Sequence, residues 1–283
     1  MNKENTMRKI ILAEHAGFCF GVSRAVGKAF ELGGNNKKIY TFGELIHNKD
    51  VVSKLEESEI TAIEESDFKN IKKDDTVLIR SHGVGRDALD QINDISGNVV
   101  NLTCPYVLNI QKRVSEYHKK GYTIVILGDK DHPEVIGING WCDNKALISK
   151  DGSVDFELSG KVCVVAQTTE KQSNWIKLIS NLAGLSKELC AFNTICTATE
   201  LRQSSTEKLS KEVDAMVVIG GKHSSNTTKL YEICKKNCKN SYFVENAKEL
   251  EKFREELSGL EKIGVTAGAS TPDWIIKEAM GLL

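Results

Sequence analysis

The chain has 283 residues, a formal net charge of −1 and 40% hydrophobic residues. That balance lacks the basic footprint of a nucleic-acid binder, and the apolar run Ile10–Ala13 is too short for the core of a secretion signal. No stretch approaches the roughly 20 apolar residues of a membrane helix, so the expectation is a cytoplasmic protein with no nucleic-acid or membrane partner.

In chain order, residues 1–6 are polar, precede a second Met, and read as an unstructured extension. One supersecondary pattern then occurs three times. The first unit opens on the helical segment GFCFGVSRAVGKAF, passes through the strand KIYTFGEL to His47 and closes in the strand TVLIRSHGV. The second runs from LTCPYVLNIQKRVSEYHKK through YTIVILGDKDH to KVCVVAQTT, and the third from NTICTATELRQSSTEKL through AMVVIGGKHSSN to KIGVTAGAS. A cysteine precedes the first helix of each unit, and a polar residue follows it 28 positions later: Cys19 and His47, Cys104 and His132, Cys196 and Ser224. Equal offsets at three places indicate one unit used three times.

Paired β-branched runs alternating with amphipathic helices predict βαβ units around small, mainly parallel sheets. The expected fold is α/β, with three lobes related by an approximate threefold: residues 7–102, 103–194 and 195–270. Residues 271–283 form a closing helix anchored by Trp274 and Ile275. The tract KELEKFREELSGLEK reads as one exposed amphipathic helix.

Ligand-binding groups in such folds belong at the carboxyl ends of strands. Those ends carry His47 and His82 in the first unit, His132 and Thr168 in the second, and Ser224, Ser225, Asn226 and Ser270 in the third. The eight cysteines divide. In a reducing compartment thiols serve metals or catalysis more often than disulfides. Cys163 in KVCVVAQ, Cys190 in KELCAF and Cys142 after a Trp read as small hydrophobes. Cys234 and Cys238 share a helix face, but no further ligand follows at zinc-site spacing. Cys19, Cys104 and Cys196 lie in strand-to-helix connections, where unpaired amides stabilise a thiolate and favour metal ligation. A structural zinc site or a cubane iron–sulfur cluster takes four protein ligands. Three thiolates on one axis would leave one iron open to a substrate oxygen.

The segments GFCFGVSRA, RSHGV, TCP, HPEVIG, AQTT, NTICTAT, SSNT and TAGAS, in this order, resemble the 4-hydroxy-3-methylbut-2-enyl diphosphate reductase family over nearly the whole chain. The resemblance implies a three-lobed protein around a central 4Fe–4S cluster held by Cys19, Cys104 and Cys196, with one iron lacking a protein ligand. It implies reductive removal of an allylic hydroxyl, giving isopentenyl and dimethylallyl diphosphates in the non-mevalonate isoprenoid pathway. It assigns the substrate diphosphate to His47, His82, Ser224, Ser225, Asn226 and Ser270. Glu134, His132 and Thr168 fall near the substrate hydroxyl, with Glu134 as the proton donor relayed through the other two. The expected electron donor is a reduced ferredoxin or flavodoxin.

Two rival readings come from other classes. The segment GVGRDA between a strand and a helix resembles a dinucleotide fingerprint, but the next strand, NVVNLTC, offers no acidic residue for a ribose. A non-catalytic protein in which three cysteines tie the lobes together by a metal is the other.

Overall fold

The computed structural model describes residues 8–34 and 38–283, so the expected extension at residues 1–6 lies outside the described residues. The first repeat supplies β1 (Lys9–Leu12), α1 (Phe20–Leu32), β2 (Ile39–Phe42), α2 (Lys49–Glu57), β3 (Ile60–Ile63), β4 (Thr76–Ile79), α3 (Arg86–Ile95) and β5 (Asn98–Asn101). The second supplies α4 (Pro105–Lys119), β6 (Thr123–Leu127), α5 (Pro133–Asn139), β7 (Leu147–Ser149), β8 (Lys161–Ala166), α6 (Gln172–Ala183) and β9 (Glu188–Ala191). The third has α7 (Thr197–Ser210), β10 (Ala215–Ile219), α8 (Ser225–Asn237), β11 (Ser241–Val244), α9 (Ala247–Leu250), α10 (Arg254–Leu257), β12 (Lys262–Ala267) and α11 (Asp273–Gly281).

The strands form three four-stranded sheets, in the orders β3-β2-β4-β5, β7-β6-β8-β9 and β1-β12-β10-β11. Every pairing is parallel, and the α/β class expected from the sequence is what the chain adopts. The two β-branched runs of each repeat become the two central strands of its sheet. A parallel sheet buried on both faces requires continuous apolar runs, and β10 is buried at every position while β8 is buried at every position after Lys161. The outer strands have three or four residues each, and only pairing with a central neighbour defines them.

The chain divides into two compact units. One comprises the residues up to Cys19, His47–Lys49 and Thr197–Leu283. Its sheet contains a strand that the sequence had grouped with the first lobe: Lys9–Leu12 pairs with β12, residue for residue from Lys9 opposite Lys262 to Leu12 opposite Val265. The carboxyl-terminal helix α11 packs on this sheet, and of its two expected anchors Ile275 is buried while Trp274 is not. Ile275, Ile276 and Ala279 are buried with Val217, Ile219, Val265 and Ala267, whereas Trp274 is 38% exposed and meets Phe18 edge to face, 6.5 Å between ring centres. The expected single helix over KELEKFREELSGLEK is broken into α9, a 3-10 turn at Glu251–Phe253, and α10. Leu250 and Leu257 remain in the core while Phe253 packs 5.0 Å from Tyr242.

The other unit comprises Phe20–Ile46 and Asp50–Cys196 and holds the remaining two sheets. Helix α4 buries Ile110 and Val114 against one face of the β7-β6-β8-β9 sheet, with Val135 and Ile138 of α5. Trp175, Leu178 and Leu182 of α6 cover its opposite face. Each such side chain taken fully out of water contributes about 1.5–3 kcal/mol, so the loops at the strand ends sit on a rigid base. Among the described residues no helix is long and apolar enough to cross a membrane.

Candidate functional site

Two constellations of polar and thiol groups stand at strand ends, one in each unit. In the unit holding α4, Cys104 is the residue that caps this helix, followed by Pro105 at its first position, where a missing amide costs nothing. The Cys104 N–H donates to the Ser81 carbonyl at 2.9 Å, and the Ser81 hydroxyl donates to the Leu45 carbonyl. Arg24, on α1, donates to the carbonyls of Leu102 and Thr103 at 3.0 and 2.7 Å, fixing the approach to Cys104 from the other side. Gly21 closes the packing, because a Cβ there would lie 2.7 Å from Cys104 Sγ. Cys196 lies immediately before α7, and its N–H donates to the Thr168 carbonyl at 3.0 Å.

The same unit carries Glu134, Thr168 and His132. Glu134 is the second residue of α5, only 3% exposed. Its carboxylate does not serve its own helix. One oxygen accepts from Thr168 N–H at 2.7 Å, the other from the Thr168 hydroxyl at 2.7 Å. His132 caps α5 through its ring, Nδ1 accepting from the Glu134 N–H at 3.1 Å. An acceptor Nδ1 places the proton of a neutral ring on Nε2. The His132 and His82 rings meet edge to face with 5.5 Å between centres. Glu134, Thr168, His132 and His82, singled out separately in the sequence, thus form connected pairs in one unit.

In the other unit, Cys19 immediately precedes α1. Its N–H donates to the Ala269 carbonyl at 3.2 Å, and the next residue, Ser270, donates its hydroxyl to the His47 carbonyl at 3.1 Å. Arg202 of α7 holds the same loop through a 2.8 Å bond to the Gly17 carbonyl. Ser224 caps α8, accepting from Thr227 N–H, and half-buried Ser225 begins the helix. Asn226 is 3% exposed, and neither its amide nitrogen nor its oxygen has a hydrogen-bond partner among the described residues. Leaving such a group unsatisfied costs about 1–3 kcal/mol. Thr227 Oγ1 is buried in the same condition, pressed against Gly268, where a Cβ would come within 2.0 Å of that oxygen. The neighbouring lysines are engaged with carboxylates: Lys222 with Glu249 at 3.0 Å and Lys49 with Glu245 at 3.4 Å. Neutral donors and a helix N-terminus therefore dominate this constellation, a combination suited to phosphate oxygens.

No cysteine forms a disulfide among the described residues, and the eight differ in burial. Cys142 and Cys163 lie in the core under α4, and Cys234 and Cys238 pack with Leu209, Met216 and Leu230. Cys190 is half-buried on β9, less enclosed than its apolar segment suggested. Burial pushes the Cys142 thiol up to about 11 and those of Cys163 and Cys234 up to about 12. Cys19, Cys104 and Cys196 are half-exposed at helix starts, so the donor set fits a metal or cluster that favours thiolate. Alkylation of metal-free protein with iodoacetamide near pH 8 should accordingly label these three and spare Cys142, Cys163 and Cys234, because the thiolate is the reactive form; peptide mass mapping reads the outcome.

Gly21 and Arg24 in one unit, and Arg202 and Thr227 in the other, belong to the frameworks of these two constellations but were given no role from sequence. Arg24 and Thr227 stand in or beside quoted motifs, yet only the folded contacts reveal what they hold. If Cys104 ligates iron, a Gly21→Ala change should lower iron loading without altering a single sulfur, since the ligand sulfur could not rotate away from the added methyl; iron and acid-labile sulfide content measures it. The dinucleotide reading loses its footing as well, because the Asn101 side chain at the end of β5 is engaged by Thr103 N–H at 3.0 Å.

Comparison with known proteins gives a consistent result. The family described as LytB protein matches residues 10–283. The 4-hydroxy-3-methylbut-2-enyl diphosphate reductase of Clostridium perfringens is 56% identical over 275 residues, 96% of this chain and 97% of that protein. A solved (E)-4-hydroxy-3-methyl-but-2-enyl diphosphate reductase, described as the terminal enzyme of the non-mevalonate pathway, has a TM-score of 0.69 and 40% identity, covering 98% of this chain and 99% of that one. The E-1-hydroxy-2-methyl-but-2-enyl-4-diphosphate reductase from Plasmodium falciparum has a TM-score of 0.85 at 26% identity, covering 98% of this chain and 88% of that one.

Proposed function

The chain belongs to the LytB family of 4-hydroxy-3-methylbut-2-enyl diphosphate reductases, and from that premise we propose how its own residues carry out the reaction. It is an oxidoreductase, the terminal enzyme of the non-mevalonate pathway. The family implies an iron–sulfur cluster. We assign its ligands to Cys19, Cys104 and Cys196, a set supported by their half-exposed thiols at helix starts. A 4Fe–4S cluster on three thiolates would supply electrons and one open coordination position for the substrate's hydroxyl oxygen.

The net change replaces an allylic C–OH bond by C–H: two electrons and two protons enter, and water leaves. Proton placement is the chain's own task. Glu134 is 3% exposed, so a proton it delivers is kept from exchange with bulk water. Its 2.7 Å bond to the Thr168 hydroxyl provides a transfer path toward the leaving oxygen. His132, with its ring proton on Nε2, orients the Glu134 turn through the bond to its N–H. The products expected from the family are isopentenyl and dimethylallyl diphosphates. Reduced ferredoxin or flavodoxin is the expected electron donor, and eight cysteines without a disulfide among the described residues suit the reducing cytoplasm.

The observation that carries the diphosphate assignment is Asn226, a buried amide with both polar atoms unsatisfied at the start of α8. We assign the anion to Asn226, Ser224, Ser225, Ser270, His47 and His82. Asn226→Ala, Ser224→Ala and His47→Ala are each expected to weaken both substrate and plain pyrophosphate by about 1.5–3 kcal/mol, the range for a hydrogen bond to a charged group, with iron content unchanged. Calorimetry on the three variants tests it. Unchanged pyrophosphate affinity in all three would place the diphosphate elsewhere.

A further inference from the structure

We propose that the exposed face of α4, with Phe20 and Arg86 beside it, is the docking surface for a small acidic one-electron carrier protein that reduces the enzyme. The inference rests on the reading of Cys104 as a cluster ligand. Each turnover oxidises two reduced carriers and takes up two protons: one C–O bond breaks, one proton ends in the new C–H bond, and the other leaves with the hydroxyl as water. The chain offers no dinucleotide or flavin motif of its own, so electrons enter by contact with another protein. Tunnelling falls steeply with distance, which places that contact close to a ligand thiol.

Helix α4 starts at such a thiol. Cys104 caps it, and at 1.5 Å rise per residue Leu108 lies about 6 Å and Lys112 about 12 Å along the axis. Three large apolar side chains stand in water around this start: Phe20 at 67% exposure, Tyr106 at 50% and Leu108 at 41%. The beginnings of α1 and α4 meet at the sulfur, as the fit of Gly21 against Cys104 Sγ requires. Large apolar groups left exposed on the first turns of two helices that meet at one thiol mark an interaction site more than a solvated surface.

Charge then identifies the partner. A groove of about 550 Å³ runs along α4, lined among others by Arg86, Leu108, Lys112, Glu116, Lys119 and Trp141. Three cations face one carboxylate there, on a chain whose net charge is −1. Neither Lys112 nor Lys119 has an ion-pair partner among the described residues. Glu116 is already paired with Lys120 at 2.6 Å. Arg86 is held in place, bonded to Ser115 at 2.7 Å and 5.2 Å above the Trp141 ring. Helix α3 turns Arg86 and Leu89 to the groove, and its aspartates do not line it. An apolar centre beside the electron entry point with a cationic rim is complementary to an acidic redox carrier, whose encounters are small and electrostatically steered.

The test compares two reductants on the iron-loaded enzyme under anaerobic conditions. Dithionite with methyl viologen needs no docking surface, while a reduced acidic ferredoxin does. For the double variant K112E/K119E, ferredoxin-driven turnover should show a KM raised at least tenfold and a flattened salt dependence. Viologen-driven turnover and iron content should stay within twofold of wild type. A K236E control on α8 should change neither. An unchanged ferredoxin KM in the iron-loaded double variant would overturn the proposal. If charge reversal lowers iron loading, K112Q/K119Q decides by the same comparison. Should wild type fail with viologen, the reductase reading falls; the anaerobic affinities of wild type and variant for ferredoxin still decide the surface, equal values contradicting it.

Discussion

Cys104→Ser should abolish turnover and reduce iron and acid-labile sulfide to a small fraction of the wild-type content. A serine hydroxyl keeps the size of the side chain but not the thiolate, which is the species that ligates iron. The backbone around it should not move, because Cys104 N–H is held by Ser81 and the preceding carbonyls by Arg24. The loss would then be one of ligation and not of folding. Cys19→Ser and Cys196→Ser should behave alike, whereas Ala at Cys163, Cys190, Cys234 or Cys238 should retain the cluster. The buried members of that second group fill space in cores, so their removal should lower the melting temperature and leave iron content intact. Normal iron loading and turnover in Cys104→Ser would remove this residue from the ligand set.

Glu134→Gln should lower kcat by on the order of 10²-fold or more, the usual range for loss of a general acid. Iron content and substrate affinity should remain near wild type. The amide oxygen can still accept from Thr168 N–H, and the Thr168 hydroxyl can turn to accept from the new NH2 group, so both contacts at 2.7 Å survive in some form. What is lost is a transferable proton. Thr168→Ala should act in the same direction but less strongly, since an ordered water can take the place of the hydroxyl. Anaerobic single-turnover rates under saturating reductant separate chemistry from binding. A Glu134→Gln enzyme with wild-type kcat would move the proton donor to His132.

The central strands were legible because a parallel sheet covered on both faces demands unbroken apolar runs, and VVAQ and AMVVI supply them. The outer strands were not. Leu147–Ser149 and Ser241–Val244 have no period of their own and exist through the hydrogen bonds of the strand beside them. The exchange of Lys9–Leu12 into the sheet of the last repeat depends on pairing with Lys262–Val265, far along the chain, and local pattern carries no sign of it. A comparable division holds for the site. The cysteines and the strand-end polar residues could be picked out by position, offset and resemblance. The fit of Gly21 against Cys104, the reach of Arg24 to two carbonyls and the unsatisfied amide of Asn226 arise from close approach of segments distant in sequence. Glu134 lay between. The resemblance singled it out, but its burial and its bonds to Thr168 arise only in the folded chain.

The central claim is that this chain, loaded with its cluster, removes the allylic hydroxyl of (E)-4-hydroxy-3-methylbut-2-enyl diphosphate. The most direct measurement is an anaerobic single turnover of dithionite-reduced, iron-loaded enzyme with that substrate, the products resolved by chromatography. Isopentenyl and dimethylallyl diphosphates should form together, with two electrons consumed for each substrate lost. Fully reduced, iron-loaded enzyme that binds the substrate and returns it unchanged would contradict the account.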